Sequence, residues 1–248
     1  MGAARSIDWL TAQPIAHRGL HDLQAGRPEN TLAAFAAAIA RAYAIECDVR
    51  LTADGEAVVF HDENLQRLTG STGDVATTSL AAMRRLRVLG TAEAPPSLAD
   101  VMALVAGRVP VLIELKSIGA RGPLEAAVYR ELRRYRGHAA VMAFAPGSVA
   151  WFRRNAPEVV RGQLSGSYRG EGGPNVLRRF AYRHLLMLGV SRPDFVAHET
   201  NCLGLPSSRL WRRFGGPLLT WTAKTPADYA RARPLADAII FEAFEPAR

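Results

Sequence analysis

Short β-rich apolar runs alternate with helix-patterned segments along the whole chain. The runs are PIAH (14–17), AIECDV (44–49), VPVLIELK (109–116), AAVMAF (139–144), EVVRGQL (158–164), PDFVAH (193–198), PLLTWT (217–222) and DAIIF (237–241). Between them lie the helix candidates TLAAFAAAIARA, SLADVMALVAG, GPLEAAVYRELRRY, GSVAWFRRNA, NVLRRFAYRHLLML, SSRLWRRF and PADYARAR. Ser97 followed by Asp100 has the pattern of a helix N-cap with an acidic third position. Repeated strand-then-helix order calls for parallel strands joined by right-handed crossovers. Eight such strands in 248 residues predict an α/β fold, a closed (β/α)8 TIM barrel. No linker or internal repeat divides the chain, so one domain is expected over 1–248. The irregular, Gly- and Thr-rich stretch of about 62–96 is expected to be an insertion after the second strand, on the C-terminal rim.

One strand breaks the apolar pattern. In AIECDV the side chains alternate, so Glu46 and Asp48 share one face and Ile45, Cys47 and Val49 the other. Two carboxylates on one buried face repel each other and lose hydration, and both effects are costly. A cation between them removes both costs. An edge strand whose polar face meets water would also do so.

Polar residues at the other strand ends bear on that choice. His17 and Arg18 end the first strand, and Glu114 and Lys116, two apart and so on one face, end the third. Gln163 ends the fifth, His198 and Glu199 the sixth, and Trp221 the seventh. Barrel active sites are built at this end from several strands, and here acids, histidines and a lysine converge on it. Glu46, Asp48 and Glu114 make an all-oxygen set suited to one divalent cation, Mg²⁺ or Ca²⁺ with Mn²⁺ also fitting, rather than zinc. Arg18 and Lys116 beside it suit a phosphate. His17 and His61, from different segments, are placed to take and donate a proton near neutral pH.

Composition adds less. With 48% hydrophobic residues the chain can bury a full core, and no apolar run is long enough to cross a bilayer. No charged-then-apolar leader opens it, so neither export nor stable membrane insertion is expected. Two cysteines cannot form a disulfide framework, which points to a reducing, cytoplasmic location. The net charge of +8 is dispersed in pairs such as Arg133-Arg134 and Arg178-Arg179, the pattern of solvated helix faces rather than of a nucleic-acid stripe. Of 31 basic residues only Lys116 and Lys224 are lysines, which marks both as candidate point charges.

The ordered segments IAHRGLHDLQAGRPENTLAAFAAAI, IECDVRLTADGEAVVFHDENLQRLTGSTG, PSLADVMAL and VLIELKS, with TWTAKTPADYA later, resemble the glycerophosphodiester phosphodiesterases. The resemblance is strong over the first half of the chain. It implies a barrel with a segment inserted after the second strand and hydrolysis of glycerophosphodiesters to an alcohol and sn-glycerol 3-phosphate. It implies His17 and His61 as the acid-base pair, Arg18 and Lys116 as phosphate contacts, and Glu46, Asp48 and Glu114 as metal ligands. Glu29 and Asn30 would support the histidine loop, unless they serve only to start the helix from Thr31. Trp221 would form part of the pocket wall. The implied mechanism passes through a cyclic phosphate. The end of the chain departs from the family pattern, with Phe241 and Glu242 in place of a small polar pair. NCLGLPSS after the sixth strand has no family match either. These departures leave the substrate's alcohol portion open. A lysophospholipase D-like or cyclising phosphodiesterase is one rival, with Phe241, Phe244, Trp211 and Leu203 as an apolar channel; a non-catalytic phosphate-binding barrel is another.

Overall fold

The computed structural model describes residues 6–167 and 175–246. Its sheet has nine strands: β1 (Ile15–Ala16), β2 (Ala44–Leu51), β3 (Ala57–Val59), β4 (Val111–Leu115), β5 (Ala139–Ala143), β6 (Val160–Ser165), β7 (Phe195–Glu199), β8 (Leu218–Ala223) and β9 (Ala238–Phe241). Eight of them run parallel, and β1 pairs with both β2 and β9, so the sheet closes on itself as a (β/α)8 barrel. The eight predicted runs all become these parallel strands, displaced by no more than two residues at either end.

Strand alternation sorts the barrel into two cores. Ile15, Ala44, Leu112, Ala140, Leu164, Ala197, Leu219 and Ile240 pack inside it, with Leu10 among them. Ile45, Cys47, Val111, Ile113, Val141 and Val196 face outward and join the helices' apolar sides. A Cβ at Gly162 would lie 2.2 Å from the Phe195 ring, so only glycine lets that ring fill the interior. The helix Leu98–Val105 starts with the predicted capping box: Ser97 Oγ accepts from Asp100 N, and Asp100 Oδ2 accepts from Ser97 N.

Two elements differ from the sequence pattern. No run was predicted at 57–59, but Gly55 at φ +78° turns the chain and β3 pairs antiparallel with β2, Val49 opposite Val59. Beyond it, Phe60, Leu65, Leu68, Val75, Met83 and Val88 bury one another in a small separate cluster. NVLRRFAYRHLLML does not form one helix. It breaks into Val176–Arg183 and Leu188–Ser191, with Leu185 in the left-handed region at φ +58° between them.

Candidate active site

The alternation that fills the barrel also aims its chemistry. Continuing each inward-facing row to the C-terminal strand ends brings in His17, Glu46, Asp48, Glu114, Lys116, Phe144, Glu199, Trp221 and Glu242. All except the fully buried Asp48 line one cavity of about 620 Å³, together with Arg18, Glu29 and His61.

Parallel register sets Asp48 directly opposite Glu114, with Glu46 one pleat away on the same face. Glu46, Asp48 and Glu114 each offer a carboxylate oxygen within 4.8 Å of the others. Their exposures are only 1%, 0% and 6%, which excludes the solvated edge strand. Burial and the neighbouring Asp48 and Glu114 charges push the Glu46 carboxyl well above its usual range. Burial likewise raises Glu114 despite Lys116 beside it. Burial also acts on Asp48, but there Lys116, His61 and Arg18 prevail and hold it well below the usual carboxylate range. Glu46 Oε1, Asp48 Oδ1 and Glu114 Oε1 are buried and lack a well-aligned hydrogen bond. Lys116 Nζ meets two of these as an ion pair, 3.1 Å from Asp48 Oδ1 and 2.6 Å from Glu114 Oε1. Three buried carboxylates whose oxygens converge, with Glu46 Oε1 left without a hydrogen bond, fit a hard divalent cation.

The HRG and PENT segments interlock beside the acids. Gly19 at φ +80° lies so close to Ala34 that an added Cβ would be 2.9 Å away, which seats the turn on the helix Leu32–Ala40. Arg18 N donates to Glu46 Oε2 at 2.9 Å, and Arg18 Nη1 donates to Glu29 Oε1 at 2.7 Å. Asn30 clamps Asp48: its Nδ2 donates to Asp48 Oδ2 at 2.8 Å and its Oδ1 accepts from Asp48 N at 3.2 Å. Thr31 caps the helix by accepting from Ala34 N. Glu29 therefore aims Arg18 while Asn30 holds Asp48, and the helix start falls to Thr31.

The antiparallel hairpin brings in the second histidine. Phe60 N donates to Asp48 O at 2.9 Å, which sets His61 beside the acids. His61 Nδ1 lies 2.7 Å from Asp62 Oδ1, and Arg67 bridges Asp62 and Glu29 with bonds of 2.6 and 3.0 Å among others. At β1, His17 Nδ1 lies 2.6 Å from Glu242 Oε2, leaving Nε2 4.0 Å from Glu46 Oε2. Burial lowers the pKa of both histidines, opposed at His17 by the hydrogen bond to Glu242 and at His61 by the Asp48 charge. Glu242 also takes an ion pair from Lys224 at 2.8 Å and lies 3.8 Å from His21 Nε2. The His17 and His21 contacts hold its carboxyl far below the usual range. Sequence reasoning assigned Glu242 and Arg67 no role. The inward row Ala238, Ile240, Glu242 was the available signal for the first, and the arginine in ENLQRLTG for the second.

Other rim expectations are corrected. Gln163 turns away from the cavity and donates to the Ala143 and Phe144 carbonyls at 3.0 Å each. His198 is fully buried with Nδ1 2.8 Å from Ser208 Oγ, and burial lowers its pKa to about 4. Both have the outward parity of their strands. Phe241, Phe244, Trp211 and Leu203 do not line this cavity, for they pack in the outer core with the helices. Trp221 does stand in the cavity wall, edge-on to Phe144 at 5.4 Å, its Nε1 donating to the Ala197 carbonyl.

Comparison with known proteins bears on this geometry. Residues 17–243 match the model of the glycerophosphoryl diester phosphodiesterase family. Over 157 residues the chain is 33% identical to a glycerophosphodiester phosphodiesterase of Bacillus altitudinis, covering 58% of this chain and 63% of that protein. Over 111 residues it is 40% identical to one of Caldanaerobacter subterraneus subsp. tengcongensis, covering 42% and 44%. The chain thus spans less than two thirds of either relative. Its fold is similar to that of an Oleispira antarctica phosphodiesterase solved in complex with the product sn-glycerol-3-phosphate, with a TM-score of 0.78, 22% identity and 92% of each chain covered.

Proposed function

This chain belongs to the glycerophosphoryl diester phosphodiesterase family, and on that premise we propose that it hydrolyses glycerophosphodiesters to an alcohol and sn-glycerol 3-phosphate. The observation that carries the reading is the placement of two histidines of different origin, His17 and His61, on one cavity with two cations, beside a cluster of three buried acids. A divalent cation held by Glu46, Asp48 and Glu114, Mg²⁺ or Ca²⁺ with Mn²⁺ as a further fit, would supply charge neutralisation and polarise a phosphoryl oxygen.

The chain's own groups account for the rest. Arg18 and Lys116 bind the phosphoryl oxygens and stabilise the charge that grows on them. One histidine takes the proton of the glycerol hydroxyl next to the phosphoester, and that oxygen attacks phosphorus. The other histidine donates its proton to the departing alcohol oxygen as the phosphorus–oxygen bond breaks. A cyclic phosphate results, and water opens it with the two roles reversed, which restores both protons. Attack by a tethered hydroxyl is favoured because its entropy cost is met within the substrate. Glu29 orients Arg18, and Trp221 walls the side facing the acids. A lysophospholipase D-like activity has less support, since Phe241, Phe244, Trp211 and Leu203, the residues expected to form its apolar channel, are not among the described residues that line the cavity. Cys47 and Cys202, both buried, agree with the proposed cytoplasmic location, and no helix among the described residues is long and apolar enough to cross a membrane.

The test is turnover of glycerophosphocholine, glycerophosphoethanolamine, glycerophosphoglycerol and lysophospholipids by purified protein, before and after chelation. Release of sn-glycerol 3-phosphate, abolished by chelation and restored by Mg²⁺, Ca²⁺ or Mn²⁺, is expected. Undiminished activity in a metal-free preparation would sink the metal assignment.

A further inference from the structure

Five carboxylates line the catalytic cavity: Glu29, Glu46, Glu114, Glu199 and Glu242. Four of them have a cation or a histidine at hand. Glu29 meets Arg18 and Arg67, Glu46 meets His17, Glu114 meets Lys116, and Glu242 meets Lys224, His17 and His21. Glu199 alone has no ion pair among the described residues. Its partners there are neutral donors: Oε2 accepts from Ser167 N and Ser167 Oγ at 2.6 Å each, and Oε1 accepts from Asn201 Nδ2 at 3.3 Å. These bonds hold the carboxylate in place and leave its charge unbalanced.

An aromatic corner stands beside it. Parallel register pairs Glu199 with Trp221, and Trp221 meets Phe144 edge-on at 5.4 Å. Trp221 Nε1 donates to the Ala197 carbonyl, so the polar edge of the indole is satisfied and its ring is left to line the cavity. Gly166 lets carboxylate and indole meet: a Cβ there would lie 2.8 Å from Glu199 Oε2 and 3.2 Å from Trp221 Cζ2. A carboxylate beside aromatic rings attracts an ammonium group twice, by its own charge and by the ring quadrupole.

Position and substrate charge give this corner a role. β7 lies opposite β2 in the closed strand order, so Glu199 and the buried acids occupy facing sides of the barrel mouth. Every phosphodiester carries a negative charge on its phosphate. A surplus carboxylate across the cavity repels that charge, and a positive charge elsewhere on the substrate offsets the repulsion. The glycerol arm must keep its nucleophilic hydroxyl beside a histidine, which leaves the alcohol arm to cross to β7. We infer that Glu199, Trp221 and Phe144 form a subsite for an ammonium-bearing alcohol, so that the chain selects choline and ethanolamine diesters over neutral and acidic ones. The inference rests on the phosphodiesterase reading for the place of the phosphate.

The test compares glycerophosphocholine with its neutral isostere, in which a tert-butyl group replaces the trimethylammonium group. The two esters match in shape and differ in charge. Wild type should show a KM for the choline ester about tenfold below that for the isostere. Glu199→Gln keeps an oxygen acceptor for Ser167 but no charge, and should lower that preference about fivefold. The loss should fall in KM rather than kcat, because the ammonium group carries the same charge in the ground and transition states. Trp221→Leu, which keeps the wall apolar and the carboxylate in place, should lower the preference as well. Equal KM values for the two esters in wild type overturn the inference, and that comparison needs no variant to fold. So does a preference that survives in Glu199→Gln, or a loss that falls equally on both esters, as a merely structural role would produce. If wild type hydrolyses neither ester, the catalytic reading fails, and calorimetric binding of the same pair then decides the subsite. Tighter binding of the choline ester that Glu199→Gln removes would sustain it, and equal binding of the two would overturn it.

Discussion

Replacing Glu242 by glutamine is the sharpest test of the proposed acid-base pair. His17 Nδ1–H donates to Glu242 Oε2 at 2.6 Å, which fixes the tautomer and leaves Nε2 free to act on the substrate. In either order of the two steps, His17 carries a proton at one stage. A hydrogen bond to a charged group contributes about 1.5–3 kcal/mol and one between neutral groups about 0.5–1.5. Losing the charge while keeping the bond therefore costs on the order of 1.4 kcal/mol, or about tenfold in kcat/KM. If the glutamine instead turns its NH₂ group toward Nδ1, the tautomer is reversed. The loss could then approach the roughly 10⁴-fold seen when a catalytic histidine is held in the wrong tautomer. The pH profile separates both cases from a packing defect. Burial already lowers the His17 pKa and Glu242 opposes that, so removing the carboxylate lowers the pKa further. The limb that His17 governs, rising with pH if it acts first as base and falling if it acts first as acid, should therefore move to lower pH while the plateau falls. The assay is kcat/KM against pH on the best diester for wild type, Glu242→Gln and Glu242→Asp. Activity within about threefold of wild type with an unmoved limb would refute the positioning role.

Further outcomes are expected for the histidines, the lysines and Glu46. His17→Ala and His61→Ala should each lower kcat by about 10²–10⁴ with the fold intact, and a loss below roughly tenfold would return that histidine to a packing role beside Glu242 or Asp62. Lys116→Met should abolish turnover and destabilise the fold by about 3–5 kcal/mol in denaturant titration, because Asp48 and Glu114 lose a buried partner. Lys116→Arg should fail as well, since a planar guanidinium does not replace a point charge between two carboxylates, and near-normal kcat/KM for it would refute that. Lys224→Met, which removes a side chain 68% exposed, should change kcat/KM by less than about fivefold. Glu46→Gln removes a buried charge that its neighbours oppose, so the metal-free protein should melt higher, by about 2–4 °C for each kcal/mol gained. The same variant should lose the rise in Tm that Mg²⁺ or Ca²⁺ produces in wild type, and a retained rise would exclude Glu46 as a ligand.

Much of this protein was legible in one dimension because strand alternation is a local rule. The spacing of Glu46 and Asp48, and of Glu114 and Lys116, already put each pair on one face of a strand, and the repeated strand-then-helix order already implied a closed barrel. Whether that shared face met solvent or the barrel interior was not local. It was decided by closure through β1, which buries the acids and leaves their oxygens facing one another. The same closure sets His17 beside Glu242, residues 225 positions apart, by pairing β1 with β9. No spacing rule links them, because the contact depends on register between the first and last strands. Gln163 and His198 show the converse limit: both lie at strand ends, but one step of parity turns them out of the cavity. His61 reached the site through a hairpin whose antiparallel pairing an irregular-looking segment did not announce. Local periodicity thus determined the elements and their inward rows, and only the packing of distant strands decided which rows meet, which charges lose their water, and which histidine acquires a carboxylate.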